Sequence, residues 1–142
     1  MDLVYSTEQQ AFRGEVRQWL EEHVPTTALE SFDTAAGFEQ HRQWEKTLAQ
    51  GNWGMVTWPK AYGGLGCNLI EWLIFEEEYY RVNAPLRVNQ NGIFLLGPTL
   101  MEYGTEAQKQ RFITKMASGE EIWAQGWSEP GAGSDMAAIQ SK

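Results

Sequence analysis

An apolar residue recurs every three or four positions along most of the chain before residue 120, and this spacing restricts the chain to a helical fold. The clearest run begins after the polar pair Ser6 and Thr7, each followed three residues later by a glutamine, which is the pattern of a capping box. The run stops at Pro25, a residue that a helix interior does not tolerate. Its apolar members are Phe12, Val16, Trp19, Leu20 and Val24. The sequence therefore predicts a helix from Glu8 to His23.

A second helix is predicted where apolar side chains and one histidine share a face, and Gly51 is expected to end it in a left-handed conformation. The shared face consists of Phe38, His41, Trp44 and Leu48. His41 is interpreted as a hydrogen-bonded histidine of the core or its boundary. The glycine-rich stretch over 51–66 follows no strand and contains no GxGxxG pattern. It is therefore interpreted as a tight loop held by Trp53 and Trp58 rather than as a nucleotide-binding loop.

The third predicted helix, Leu69 to Arg81, is apolar on nearly all sides at its start, which is typical of a central helix in a bundle. It carries three consecutive glutamates, Glu76, Glu77 and Glu78. Successive side chains of a helix point about 100° apart, so these carboxylates cannot converge on one metal ion or one proton. The sequence favours a solvent-exposed or interface face for them.

Small residues interrupt the fourth helix, which is predicted over 88–102. Gly92, Gly97 and Pro98 are expected to weaken or kink it, and such breaks often mark the close approach of a ligand or a neighbouring helix. Composition alone favours helix packing as the reason. Another capping box, formed by Thr105 and Gln108, begins a fifth helix that extends to residue 119.

The spacing changes after residue 119, where Trp123, Gln125 and Trp127 alternate with other side chains as in a short strand. Nothing in the sequence offers this strand, or the extended end over 140–142, a partner for its backbone groups. We therefore expect the chain to be the truncated or cleaved amino-terminal part of a longer protein. The predicted organisation is a helical domain over 1–121 and the start of a β domain over 122–142.

Composition and charge exclude several classes of function. A net charge of −8 without a basic cluster argues against nucleic acid as a partner. Cys67 is the one cysteine, so no disulfide forms within the chain, and it gives no metal-ligand spacing with His23 and His41. No metal site is predicted. No apolar signal core or apolar run of about 20 residues is present. We expect a soluble, cytoplasmic chain without a membrane span.

The stretch "WAQGWSEPGAGSD" over 123–135 combines groups that suit a phosphate-bearing aromatic cofactor. Glycines allow close approach of the backbone, hydroxyls donate or accept hydrogen bonds, and a tryptophan offers a flat apolar face. These groups belong to Gly131, Gly133, Ser128, Ser134 and Trp127. A turn in which Asp135 caps the next segment explains most of the same residues. The residues alone leave both interpretations open.

This stretch resembles the signature of the acyl-CoA dehydrogenase family, a Thr or Ser followed by Glu-Pro-x-Ala-Gly-Ser-Asp. Further similarity lies in "STEQQAFRGEVRQWL" at the amino terminus, "WPKAYGGLG" over 58–66 and "YGTEAQKQRFITKMASGEEIWAQG" over 103–126. The resemblance covers nearly the whole chain. The serine before Glu-Pro and the "WAQG" before it look more like bacterial branches of the family.

The resemblance implies an all-α chain: the amino-terminal helical bundle domain of the acyl-CoA dehydrogenase fold, ending at the first strand of a middle β domain. Family members bind FAD and oxidise an acyl-CoA to the trans-2-enoyl-CoA. A glutamate removes the α-proton, flavin N5 accepts the β-hydride, and an electron-transfer flavoprotein receives the electrons. Subunits assemble as tetramers, so a homo- or hetero-tetramer is expected.

The resemblance also implies site residues. Gln125, Trp127 and Ser128 correspond to contacts with the flavin ring, and Gly133 and Ser134 to the turn nearest the FAD pyrophosphate. Ser134 corresponds in addition to an acyl-CoA contact. The helix around Asn91 and Gly92 resembles the wall near the acyl tail.

The family's catalytic glutamate comes from a carboxy-terminal bundle that this sequence does not contain. Glu129 lies within the turn beside Pro130, and its family counterpart is structural, so no catalytic residue is assigned. We expect the chain to supply part of the flavin and acyl-CoA site and to be inactive alone. One alternative is a non-catalytic binding or assembly subunit of a mixed oligomer. Another is an acyl-CoA oxidase-like relative, which differs in its electron acceptor.

Overall fold

The computed structural model describes residues 4–140 of the chain. Within that range the chain is helical and forms no β-strand, which confirms the all-α prediction. The α-helices are α1 (Thr7–His23), α2 (Ala35–Gln50), α3 (Leu69–Arg81), α4 (Gly97–Tyr103) and α5 (Glu106–Ala117). A π-helix, Asn91–Leu96, runs directly into α4, and two short 3-10 helices cover Lys60–Tyr62 and Met136–Ala138. Of the extended end predicted over 140–142, residues 141 and 142 lie outside the described residues.

Reciprocal capping hydrogen bonds fix where α1 begins. The backbone N–H of Gln9 donates to the Ser6 hydroxyl at 3.2 Å, and the Ser6 N–H donates to the Gln9 side chain at 2.8 Å. The same arrangement joins Thr105 to Gln108 ahead of α5. These two capping boxes are confirmed, because their signal lies within four consecutive residues.

Two apolar clusters form the core, and the loop over 51–66 joins them. The first lies between α1, α2 and α3, where Trp53 stacks on Phe75 with ring centroids 5.8 Å apart. The second is built around Trp58, between the π-helix, α4 and α5. Both tryptophans are buried. The predicted tight loop held by Trp53 and Trp58 is therefore confirmed.

The carboxylate of Glu78 is buried between α1 and α3, where the sequence favoured an exposed or interface face. Its side chain is 1% exposed and accepts hydrogen bonds from three arginines. These arginines are Arg13, Arg17 and Arg81, with N–O distances of 2.6–3.0 Å. Hydrogen bonds from the arginines, Arg17 foremost, lower the pKa of Glu78 to about 2 despite its burial. The exposed-face prediction is wrong for Glu78, because Arg13 and Arg17 from α1, with Arg81 from α3 itself, compensate its charge.

Two local predictions, one about a helix end and one about a strand, are also wrong. Gly51 ends α2 with φ −82°, and the left-handed conformation belongs to the next residue, Asn52, at φ 61°. The strand predicted at 122–127 is absent: residues 122–128 have no regular secondary structure, and an isolated bridge joins Glu129 to Ala132. Within residues 4–140 the segment meets no strand with which to form a ladder.

The predicted fourth helix is divided into the π-helix and α4 by a tryptophan from the preceding loop. The Trp58 indole N–H donates to the Ile93 carbonyl at 2.8 Å, and the Gly97 N–H donates one residue further back, to Gly92. Pro98 has no N–H to donate to the carbonyl four residues before it. The expected weakening by small residues thus takes the form of a π-helix, and the close neighbour is Trp58.

Candidate functional site

A groove lies between the π-helix and the segment that follows α5. It encloses about 270 Å³ and brings together two residues predicted for different ligand parts, Asn91 and Gln125. Its lining residues are Asn91, Leu95, Leu96, Thr99, Trp123, Ala124 and Gln125. The lining includes two leucine side chains, Leu95 and Leu96, and two amide side chains, Asn91 and Gln125. Such a groove can hold an apolar chain and hydrogen-bond a polar group beside it.

Gly92, the other residue predicted for the acyl tail, is buried and does not line this groove. A Cβ at position 92 would lie 2.5 Å from Oδ1 of Asn89 and 3.1 Å from Cγ of Met116. The structure therefore packs Gly92 against protein atoms of the core. A direct substrate contact at Gly92 stays a prediction.

Asn89 does not line the groove but is bonded to residues on both sides of it: it is 1% exposed and forms hydrogen bonds through its backbone and its side chain. Its Oδ1 accepts the Trp123 N–H at 3.0 Å, and its Nδ2 donates to the carbonyls of Met116 and Glu121 at 3.1 and 3.4 Å. Its own N–H donates to the Glu45 carboxylate at 2.9 Å. Asn89 is therefore hydrogen-bonded to three separate elements: α2, α5 and the segment after α5.

Glu45 is the buried acid of this region. Burial raises the pKa of its carboxyl, an effect that the Asn89 N–H and the charge of Arg87 partly oppose. Arg87 forms an ion pair with Glu76, with 2.6 Å between its Nη2 and the carboxylate oxygen. The Arg87 guanidinium also lies 4.7 Å from the ring centre of Tyr79. Sequence reasoning did not identify Glu45 or Asn89, since each stands singly in a helical or turn pattern.

Trp123 forms the inner end of the segment and packs edge-on against Phe112, with ring centroids 5.4 Å apart. Its indole nitrogen is buried and has no hydrogen-bond partner among residues 4–140. An indole N–H inside a protein ordinarily finds an acceptor. This unpartnered donor lies in a residue that lines the groove.

The loop beyond Gln125 presents its predicted groups to solvent. Trp127 is 58% exposed, Ser128 and Ser134 are exposed, and a Cβ at Gly133 would meet nothing within 4 Å. These residues do not line the groove, although Gln125 connects the loop to it. A ligand can therefore reach the ring, the hydroxyls and the backbone of this loop without displacing protein atoms.

The same loop contains the predicted turn. The Asp135 carboxylate accepts the Ala137 N–H at 3.2 Å, which confirms its capping role. The Glu129 carboxylate accepts the Gln140 N–H at 2.9 Å and so ties the two ends of the loop. Turn chemistry accounts for Asp135 and Glu129, whereas Trp127, Ser128 and Ser134 remain available to a ligand.

The family model described as "Acyl-CoA dehydrogenase, N-terminal domain" matches residues 6–120. The chain belongs to the acyl-CoA dehydrogenase family. The acyl-CoA dehydrogenase IpdE1 of Mycolicibacterium smegmatis is 43% identical over 140 residues, which cover 94% of this chain and 36% of IpdE1. The mitochondrial isovaleryl-CoA dehydrogenase of Pongo abelii is 35% identical, covering 96% of this chain and 32% of that enzyme. The chain thus spans about a third of the length of these relatives.

Solved acyl-CoA dehydrogenase structures share the fold. The Tcur3481-Tcur3483 steroid ACAD superposes with a TM-score of 0.79 at 30% identity, covering 100% of this chain and 37% of that chain. The ChsE4-ChsE5 complex from Mycobacterium tuberculosis gives a TM-score of 0.79 at 31% identity, covering 99% of this chain and 35% of that chain.

Other features of this acyl-CoA dehydrogenase segment lie apart from the groove. A larger open groove of about 670 Å³ between α2 and α5 contains none of the predicted site residues. Over the described range, no group of three or more His, Cys, Asp or Glu side chains could hold a metal ion. No helix in that range has the length and apolar character needed to cross a bilayer.

Proposed function

We propose that this chain forms one wall of a site in which an acyl-CoA is oxidised to the trans-2-enoyl-CoA with FAD. The observation that carries the proposal is that Asn91 and Gln125 line one groove, although the acyl tail was predicted for one and the flavin for the other. Family membership supports acyl-CoA dehydrogenation in general.

The exposed loop has groups that fit FAD. Gln125, Trp127 and Ser128 would hold the flavin ring, and Gly133 with Ser134 would hold the pyrophosphate through open backbone and a hydroxyl. Bound FAD supplies the hydride acceptor. Ser134 also takes part in holding the acyl-CoA.

The apolar wall of the groove suits the acyl chain. Leu95 and Leu96 offer aliphatic surface, and Asn91 stands beside them as an amide donor. Burial of an acyl chain on these side chains orients the thioester and excludes water from one side of it. Gly92, in the same π-helix, packs against Asn89 and Met116.

No residue of the described range is proposed as the base. Glu129 is engaged with the Gln140 N–H and ties the loop together, so its carboxylate does not approach the groove. We propose that another segment or subunit supplies the base and that residues 1–142 are inactive alone. In the complete protein we further propose an electron-transfer flavoprotein as the acceptor, a tetrameric assembly and a cytoplasmic location.

A second candidate is a non-catalytic binding or assembly subunit in a mixed oligomer. It is favoured by the similarity to structures named for two different chains, Tcur3481-Tcur3483 and ChsE4-ChsE5. In this case a partner subunit supplies the base, and this chain contributes its loop and groove.

The test uses the complete protein purified from its host, together with any copurifying subunit. A flavin absorbance spectrum and acyl-CoA-dependent dye reduction are measured with straight-chain, branched and steroid side-chain thioesters. Bound FAD with turnover supports the first function, and turnover that requires a second subunit supports the second. Absence of both FAD and turnover from every preparation would overturn both.

Ser128→Ala in the complete protein tests the role of the loop. We expect FAD binding to weaken in Ser128→Ala. Thr57→Ala, which removes an exposed hydroxyl from the separate loop over 51–66, should leave FAD binding unchanged. Equal FAD affinity in the two variants would contradict the assignment of Ser128.

A further inference from the structure

We propose that Asn89 is the positioning residue that fixes the two walls of the groove relative to each other. One wall is the π-helix Asn91–Leu96, and the other is the segment over 121–125. This inference rests on the proposed function, because it assigns Asn89 a role in placing the residues expected to touch the acyl-CoA and the flavin.

Asn89 holds both walls through different atoms. Its backbone carbonyl accepts the Ile93 N–H at 2.9 Å, an α-helical bond in the turn where the π-helix starts. Its side-chain Oδ1 accepts the Trp123 N–H at 3.0 Å, two residues before Gln125 in the opposite wall. A shift of Asn89 therefore moves the two walls together, and removal of its side chain releases only the second.

The amide side chain of Asn89 is fully used. Its two donor hydrogens serve the carbonyls of Met116 and Glu121, and its oxygen serves Trp123. An aliphatic side chain at position 89 removes a hydrogen-bond partner from three backbone groups: the Met116 carbonyl keeps the Gly119 N–H at 3.3 Å, whereas the Glu121 carbonyl and the Trp123 N–H, both only partly exposed, lose the partner described here. A residue that only filled apolar space at position 89 would not need an amide side chain.

Glu45 fixes Asn89 from a third direction. Its carboxylate is 5% exposed and accepts the Asn89 N–H at 2.9 Å. Through this bond, Asn89 is also held by α2, a helix that packs in the first apolar cluster and does not line the groove.

The space between Gly92 and the Asn89 side chain is already filled. A Cβ at position 92 would come within 2.5 Å of the Asn89 oxygen, well inside contact distance. Gly92→Ala should therefore push the Asn89 amide away from Trp123. An Asn89→Ala background removes Oδ1 and Cγ of Asn89, two of the three atoms nearest to that Cβ, and leaves Cγ of the flexible Met116 side chain at 3.1 Å. The destabilisation by Gly92→Ala should therefore be smaller there than in the wild type.

The experiment measures amide hydrogen exchange by mass spectrometry in the complete protein, comparing wild type, Asn89→Ala and the neighbouring exposed-residue control Gln90→Ala. We expect exchange over 121–125 to rise about tenfold in Asn89→Ala, the loss of one hydrogen bond, with α1 and α3 unchanged. In the same variant the KM for acyl-CoA rises and the flavin absorbance bands shift, while Gln90→Ala matches wild type. Unchanged exchange over 121–125, or a wild-type flavin spectrum and KM, would overturn the positioning role.

A second variant covers the case in which Asn89→Ala does not fold. Asn89→Asp keeps the acceptor for Trp123 but replaces the two donated bonds by an oxygen facing the Met116 and Glu121 carbonyls, so exchange over 116–123 should rise. Protection equal to wild type would overturn the proposal. If wild-type protein neither binds FAD nor oxidises acyl-CoA, the proposed function fails, and the exchange data still show whether Asn89 fixes the segment.

Discussion

The Cβ position of Gly97 lies 2.3 Å from Cζ2 of Trp58, so the indole ring occupies the space that any side chain at position 97 needs. The same indole donates to the Ile93 carbonyl at 2.8 Å and keeps it out of the α-helical ladder. One tryptophan therefore shapes the π-helix by its ring and by its N–H. The orientation of Asn91 and Leu95 toward the groove depends on this contact.

Gly97→Ala should consequently destabilise the fold, because the Trp58 ring is buried and cannot move aside without disturbing its cluster. We expect a loss of about 1–3 kcal/mol in the free energy of unfolding, the usual cost of overpacking. Urea denaturation of the complete protein measures it. Gly14→Ala is the matched control: position 14 is exposed in α1 with nothing within 4 Å of an added Cβ, so alanine should stabilise by about 0.5–1 kcal/mol. Equal effects would contradict the role of Trp58.

The buried Glu78 should make stability depend on acidic pH. Its pKa is about 2 in the folded chain against an ordinary 4.5, so the unfolded chain binds this proton more readily. The stabilisation is fully present above about pH 4.5 and is lost as pH falls toward 2. For a shift of this size it is on the order of 3 kcal/mol.

Glu78→Gln tests this directly by denaturation at pH 7 and at pH 3. The variant should be less stable than wild type at pH 7, and the difference should shrink at pH 3. Glu15→Gln, an exposed carboxylate on α1, should change little at either pH. A difference for Glu78→Gln that is independent of pH would point to packing rather than charge.

Cys67 should react slowly with thiol reagents in the folded protein. Burial, with the nearby negative charge of Glu71, raises the pKa of its thiol to about 11 from an ordinary 9.0. Only the thiolate attacks, so labelling at pH 8 should be about a hundredfold slower than in urea-unfolded protein. The rate should rise with pH through 10. Equal rates in folded and unfolded protein would show that the thiolate forms freely.

Helix starts were predictable because their signals are local. The Ser6 and Thr105 capping boxes each lie within four residues, and α1 begins one residue before the predicted Glu8. By contrast, the surroundings of Glu78 depend on Arg13 and Arg17, 65 and 61 positions away. No local pattern reveals such a pairing, and a run of glutamates ordinarily indicates a solvated face.

The candidate site shows the same division. The motif in the loop indicated Gln125 and Ser128 through the family resemblance, and the break at Pro98 indicated an irregular helix. The π-helix itself required Trp58, which lies 35 positions from Ile93. The segment over 121–123 is fixed by Asn89 side-chain bonds instead of a strand ladder, and alternation of side chains cannot distinguish these two ways of pairing a backbone.

Trp127 should matter for FAD and hardly at all for stability. Its ring is 58% exposed, so Trp127→Ala should change the free energy of unfolding by no more than about 0.5 kcal/mol. If the ring packs on the flavin, its loss should weaken FAD binding about fivefold or more, the value of one aromatic contact. Tyr103→Ala is the control, since Tyr103 is an exposed aromatic at the end of α4 and outside the groove. Titration of the deflavinated complete protein with FAD, followed by flavin fluorescence, gives both affinities. A Trp127→Ala affinity equal to that of Tyr103→Ala would remove Trp127 from the flavin site and leave Gln125 and Ser128 to be tested separately.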